Sequence, residues 1–202
     1  MLLELPDLDV SRETLDKLDL YNALLAKWQK TINLVSPSTL KDAQIRHFED
    51  SLQIISLIPD STEFIYDIGS GAGFPGMVLA ASTGANVHLI ESDQRKCQFL
   101  KTVSREANIP VTIHNRRVEA VDLISPDVIT ARALAGLDKL LLWTQIWWSE
   151  NKKIKIILLK GEKILEEVET AQKAFNFEYT LYKSKTDPNG RIIILTNISR
   201  IP

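Results

Sequence analysis

Apolar residues recur at helical spacing through the first sixty positions and then give way to short apolar runs alternating with amphipathic stretches. Ser11 can cap a helix whose first turn carries Glu13, with Leu15, Leu18, Leu25, Trp28 and Ile32 following at intervals that predict an amphipathic helix. After Asn33-Leu34-Val35-Ser36-Pro37, a second helix is predicted from near Ser38 to Ile58, with Ile45, Phe48, Leu52 and Ile55 on one face and Pro59 as its stop. From Phe64 onward the period changes. Strands are predicted at Phe64–Ile68, Asn86–Ile90, Val111–His114, Asp127–Thr130, Ile154–Leu159, Phe177–Tyr182 and Arg191–Thr196. Helices are predicted from Pro75 to Ser82, Gln94 to Ala107, Leu137 to Trp148 and Glu162 to Phe175. Alternating strands and helices closed by a hairpin through Asp187-Pro188-Asn189-Gly190 imply an α/β fold. Its mostly parallel sheet ends on an antiparallel strand.

The pivot of the pattern is Phe64-Ile65-Tyr66-Asp67-Ile68-Gly69-Ser70-Gly71-Ala72-Gly73-Phe74-Pro75-Gly76, a buried strand running into a glycine-rich turn. Gly69, Gly71 and Gly73 admit positive φ and let a ligand approach bare backbone. A dinucleotide fingerprint needs G-x-G-x-x-G, and its third glycine position falls here on Phe74. The order Asp67-x-Gly69-x-Gly71-x-Gly73 instead resembles the first motif of class I S-adenosylmethionine-dependent methyltransferases, in which the turn wraps the methionine end and the acidic residue helps to hold the amino group. Glu91 closes the next strand, about 20 residues beyond Gly69, where a carboxylate can accept hydrogen bonds from both ribose hydroxyls.

Composition narrows the field. A chain of 202 residues with 45% hydrophobic residues supports one domain with a sizeable core, or a domain with an appendage. The expected division is a helical extension over 1–60 and a main domain over 61–202. A net charge of −2 supplies no global field for nucleic acid, although a local basic face can still serve. The single cysteine, Cys97, excludes an intramolecular disulfide and a thiolate metal cage, and no metal is expected. No apolar run approaches a membrane span and the amino terminus lacks a basic leader, so a cytoplasmic protein with no membrane partner is expected, with monomer the default.

Several further stretches carry a closer resemblance. Trp28-Gln29-Lys30-Thr31-Ile32-Asn33-Leu34-Val35-Ser36, Arg46-His47-x-x-Asp50-Ser51, the glycine turn with Pro75-Gly76, Arg117-Val118-Glu119, Arg132-Ala133-x-Ala135 and Lys160-Gly161 look like the successive motifs of the small-subunit ribosomal RNA methyltransferase G family, RsmG or GidB. They span nearly the whole chain in the family's order. The resemblance implies a Rossmann-like, doubly wound seven-stranded sheet with its last strand antiparallel. It also implies methylation of N7 of a guanine in 16S ribosomal RNA, guanine 527 in the family's designation. Its cofactor is S-adenosyl-L-methionine and its partner the small ribosomal subunit or its RNA, not DNA. Carried over residue by residue, Asp67, Gly69, Gly71, Gly73 and Phe74 form the cofactor turn, Glu91 takes the ribose and Val118 and Glu119 flank the adenine. Arg132 lies beside the cofactor facing the substrate and is the candidate catalytic residue. Loop Thr186–Gly190 is short for the family.

The chemistry agrees. Guanine N7 offers a lone pair and has no proton to lose, so in-line transfer needs positioning rather than a general base. The strand-end sequence Thr130-Ala131-Arg132-Ala133 lacks the Asn/Asp-Pro-Pro-aromatic pattern of exocyclic amino methylation. Cys97 is read as a packing residue. Arg132 could otherwise form a structural pair with Asp127 or Glu119, and His47 could be a packing histidine. Lys30, Arg46, His47, Arg116 and Arg117 are the candidate RNA contacts. Trp143, Trp147 and Trp148 are read mainly as core. A nicotinamide enzyme, a small-molecule methyltransferase and a non-catalytic cofactor-binding module remain the alternatives.

Overall fold

The computed structural model describes residues 2–3, 5, 10–36, 42–122 and 124–201. Its strands are β1 (Leu2–Leu3), β2 (Phe64–Ile68), β3 (Asn86–Ile90), β4 (Thr112–His114), β5 (Val128–Arg132), β6 (Lys155–Lys160), β7 (Phe175–Lys183) and β8 (Arg191–Arg200). They form one sheet in the order β1-β7-β8-β6-β5-β2-β3-β4. All pairings are parallel except those of β8, which runs antiparallel to β6 and β7. The seven expected strands are present with the last one antiparallel. The two-residue β1, which the sequence did not signal, adds an eighth by pairing with Leu181 and Tyr182 at the far edge. Strand order reverses at β2, whose neighbours are β3 and β5, and ligands of open α/β sheets sit beyond the carboxyl ends of strands at such a point.

Alternation along the strands builds two hydrophobic layers. Ile65, Leu89, Val128, Ile157 and Ile192 face one side; Tyr66, Ile90, Ile129, Ile156 and Ile193 face the other. Helices α1 (Arg12–Trp28), α3 (Gly76–Ser82) and α4 (Gln94–Glu106) cover the first side. Helices α5 (Leu137–Trp143), α6 (Gln145–Glu150) and α7 (Ile164–Ala171) cover the second. Leu18, Tyr21, Leu25, Phe48 and Ile54 belong to the same core as the strands, so the amino-terminal segment is built into the sheet's cover, whatever its sequence boundary.

Ser11 caps α1 as expected, its side chain accepting from the Thr14 amide. The buried stripe, however, is Thr14, Leu18, Tyr21 and Leu25, and Leu15 is 43% exposed. The second predicted helix is broken. Its start falls partly outside the described residues; beyond it, Gln44–Glu49 winds as a π-helix, Asp50–Leu52 as α-helix and Ile55–Leu57 as a 3-10 turn. The first two of these are called α2 here. The wider winding turns His47 and Phe48 inward and leaves Ile45 48% exposed; π-turns of this kind are frequent at functional sites. Predicted helix Leu137 to Trp148 is interrupted at Thr144, whose hydroxyl donates back to the Leu140 carbonyl at 2.8 Å. Helix α7 stops at Ala171 because Phe175 is buried as the first residue of β7. Between β4 and β5 the described residues hold one 3-10 turn, Val118–Ala120.

Candidate active site

Strand β2 delivers the chain into the glycine turn, where Gly69, Gly71 and Gly73 all have positive φ (64°, 57° and 98°). The turn is tied to its neighbours by backbone bonds, Ser70 N–H to the Ile90 carbonyl at 3.1 Å and Gly73 N–H to the Ser70 carbonyl at 2.7 Å. Helix α1 holds it from outside: the Tyr21 hydroxyl donates to the Ala72 carbonyl, and the Tyr21 ring stacks on Phe74 at 5.2 Å. The glycines differ in what they face. A Cβ on Gly71 would meet only the Gly69 carbonyl oxygen within 4 Å, at 3.8 Å, so its backbone is open to the cavity. Gly69 lies beneath Leu134, and Gly73 packs against Tyr21, Leu100 and Met77. Gly76 is required by packing, since a Cβ there would come within 2.4 Å of Leu89 and 2.6 Å of Asp67.

A cavity of about 680 Å³ opens over the turn at the carboxyl ends of the strands. Gly69, Gly71, Phe74, Glu91, Val118, Glu119 and Arg132 line it, as do Arg46, His47, Arg116 and Arg117. Three predicted residues do not line it: Asp67, Gly73 and Lys30. Glu91, nearly buried, accepts from the Gly71 amide at 2.8 Å and the Asp93 amide at 2.7 Å, which fixes its carboxylate against the wall. Arg132, at the end of β5, meets neither Asp127 nor Glu119. Its guanidinium donates to the Arg46 carbonyl (2.9 Å) and to His47 Nδ1 (2.8 Å), pairs with Asp50 at 3.3 Å and lies over the Phe74 ring at 5.1 Å. Asp127 instead accepts from the Glu63 and Phe64 amides. Loop Ser184–Gly190 is drawn against α2 by Thr186 to Asp50 (2.8 Å), Lys185 N–H to Gln53 (2.8 Å) and Arg46 to Asp187 (3.3 Å). The amino-terminal segment thus forms one wall of the cavity.

Comparison with known proteins places this geometry. Residues 14–189 match the family described as rRNA small subunit methyltransferase G. The chain is 46% identical over 191 residues to the ribosomal RNA small subunit methyltransferase G of Paramagnetospirillum magneticum, covering 95% of this chain and 92% of that one. It is 43% identical to the protein of the same name from Gluconobacter oxydans, covering 95% and 98%. The chain belongs to this family. Among solved structures, the ribosomal protein L11 methylase of Lactobacillus delbrueckii subsp. bulgaricus superposes with a TM-score of 0.56 at 16% identity, covering 81% of this chain and 80% of that one. The magnesium protoporphyrin IX methyltransferase of Synechocystis superposes with a TM-score of 0.58 at 11% identity, covering 95% and 100%. These distant likenesses speak for the fold alone, which is that of class I S-adenosylmethionine-dependent methyltransferases.

In this family member, protonation is set by burial. His47 is pushed down to about 4, first by burial and then by the Arg132 and Arg46 cations, so its ring is neutral across the physiological range. Arginine can only donate, hence Nδ1 is the acceptor. Burial raises the Cys97 thiol to about 11, and its Sγ lies 3.3 Å from the Glu91 carbonyl, a packed thiol with little thiolate, as the sequence reading held. Trp147 and Trp148 are core, while Trp143 is half-buried and borders the cavity. No helix among the described residues is long and apolar enough to cross a membrane.

Asp67 sits behind the turn. It is fully buried, its Oδ1 accepts from the Thr130 hydroxyl at 2.9 Å, and its Oδ2 makes no well-formed hydrogen bond, although the Gly76 amide favours the charge. Burial lifts its pKa from 3.8 to about 6. A carboxyl that binds its proton more tightly when folded contributes stability that is fully present below the unfolded value and lost as pH rises through the folded one. Asp67 therefore weakens the fold between about pH 4 and pH 6. Asp67→Asn should remove this part of the pH dependence, changing unfolding free energy on the order of 2 kcal/mol more favourably at pH 8 than at pH 4. Denaturant titrations at both pH values check it; equal changes at the two would mean that the carboxyl does not titrate with folding.

Residues beyond the predicted set also shape the site. Asp50 belonged to a recognised motif but had no role until β5 brought Arg132 to it. Lys160, uninformative in sequence, pairs with Glu167 at 2.7 Å and donates to the Ala135 carbonyl, pinning the segment after Arg132. Leu134 and Lys96 also line the cavity, and nothing local marked either one.

Proposed function

We propose that this protein transfers a methyl group from S-adenosyl-L-methionine to N7 of a guanine in 16S ribosomal RNA. The observation that carries this reading is a single cavity lined by the open Gly71 backbone, Glu91 and Arg132, in a member of an rRNA methyltransferase family. The residues present fit the cofactor. Gly71 leaves room for a chain passing close to the backbone, Glu91 is fixed where hydroxyl donors can reach it, and Val118 and Glu119 border the same space. When bound, the cofactor supplies a methyl group on a sulfonium, ready for displacement by a nitrogen lone pair.

Three titratable groups of the wall near Arg132 and the glycine turn are already engaged. His47 is engaged by Arg132 with its proton affinity lowered, Asp50 is paired, and Glu91 is committed to backbone amides. An acceptor that must lose a proton would lack assistance from these groups, whereas guanine N7 needs none. The protein's work is then orientation: α2 and, through Asp50, loop Ser184–Gly190 hold Arg132 at the cavity.

Transfer of labelled methyl from S-adenosylmethionine to small subunits, and to deproteinised 16S RNA, from cells lacking this protein tests the reading. Label recovered as 7-methylguanosine at one site is the expected result. Label on another base or atom would overturn the N7 assignment, and label only on a small molecule would overturn the RNA assignment.

A further inference from the structure

The cations around the cavity fall into two sets. On the β6 and β8 side, Arg132, Arg46 and Lys160 are each held by a carboxylate, Asp50, Asp187 and Glu167, while Arg191 is turned onto the Pro188 and Gly190 carbonyls. On the β3 and β4 side, Lys96, Arg116 and Arg117 form no ion pair among the described residues. The same holds for Lys30, which does not border the cavity. It lines a second, polar hollow of about 390 Å³ between the turn that follows α1 (residues 29–33) and the capped start of α4 (Asp93, Arg95 and Lys96). Lys96 borders both spaces, so the cavity and the hollow are neighbours that meet at this residue.

The local carboxylate does not cancel these charges. Asp93 caps α4, accepting from the Arg95 and Lys96 amides at 2.8 and 3.3 Å, and its other oxygen lies 3.8 Å from the Arg95 guanidinium. Arg95 is itself largely solvated, which leaves Lys30 and Lys96 as the cations facing the hollow without an ion pair. In a chain with 26 acidic residues against 24 basic ones, Lys30 in the hollow, Lys96 on both spaces and Arg116 and Arg117 on the cavity are four such cations against the wall carboxylates Glu91 and Glu119, a local excess of the sign a polyanion seeks.

We infer that the hollow between Lys30 and Lys96 is a phosphate subsite for the RNA strand, and that the backbone continues over Lys96 to Arg116 and Arg117. The inference rests on the reading of the acceptor as RNA and deepens it. The strand enters over the α4 edge, and its target base turns inward toward Arg132. Phosphate contacts of this kind position the strand and carry no sequence information. Lys30, a predicted contact outside the cavity wall, acquires a place in the path, and Lys96, which sequence reasoning passed over, becomes its link to the site.

The test is the salt dependence of binding to deproteinised 16S RNA for wild type, Lys30→Gln, Lys96→Gln, the double variant and Lys153→Gln. Lys153 is exposed on the loop before β6, at the opposite end of the strands. Each single variant at the hollow is expected to reduce the slope of log K against log salt by about 0.7, and the double variant by about 1.4, while Lys153→Gln matches wild type. KM for RNA should rise about tenfold in the double variant. A double variant whose slope equals that of wild type overturns the inference, as does one whose loss is matched by Lys153→Gln or by an equal loss of cofactor affinity. Should wild type itself methylate only a small molecule, the RNA reading falls and the subsite with it. RNA methylation with an unchanged slope removes the subsite alone.

Discussion

Replacing Glu91 with alanine is expected to weaken S-adenosylmethionine binding by about 30-fold or more, roughly 2 to 3 kcal/mol. Two effects add. The carboxylate is placed to accept charge-assisted hydrogen bonds from ribose hydroxyls, each worth about 1.5–3 kcal/mol. It also anchors the turn, because Oε2 takes the Gly71 amide and Oε1 the Asp93 amide. Alanine removes the acceptor and leaves two amides at the cavity wall without their partner. Glu91→Gln keeps the size yet turns an amide donor toward one of these N–H groups, so it should lose nearly as much. Calorimetric titration with the cofactor measures both variants. Affinity within twofold of wild type would show that the carboxylate at the end of β3 does not hold the ribose.

Glu91 was legible because everything that defines it is local: an apolar strand, a carboxylate at its end and a glycine turn about 20 residues earlier. The strands were legible for the same reason, since alternation along β2, β5 and β6 follows directly from which side of the sheet each residue faces. What the sequence withheld depends on contacts between distant segments. Leu15 fits the helical period of α1 as well as Tyr21 does, but only Tyr21 meets the glycine turn, through Ala72 and Phe74. Ile45 lost its inward place to His47 because α2 is wound to present His47 to Arg132, 85 positions away. Asp67 and Gly73 stand in the motif beside true cavity residues, and packing against Thr130, Leu100 and Met77 takes them behind the wall. A motif fixes where the chain turns; the neighbours decide which of its residues face the ligand.

That distinction gives Arg132→Ala the largest expected effect, a fall of more than 100-fold in kcat/KM for methylation, with a smaller loss of cofactor affinity. Arg132 is placed by four separate partners: the Arg46 carbonyl, His47 Nδ1, Asp50 and the face of Phe74. So many restraints on one guanidinium leave it little rotamer freedom, which is what orienting a base beside the methyl donor requires. Arg132→Lys keeps the charge but lacks the planar fork that reaches the carbonyl and the imidazole together, so it should recover little activity. Asp50→Ala leaves the guanidinium in place while removing its carboxylate and the Thr186 hydroxyl's acceptor, and should cost about tenfold. The pair of variants separates positioning from plain stability. Were Arg132 only a strut between β5 and α2, Arg132→Ala would lower the melting temperature while the folded fraction kept wild-type kcat/KM. Were its geometry the point, Arg132→Lys would melt near wild type and still methylate poorly, because the fork rather than the charge holds the acceptor in line.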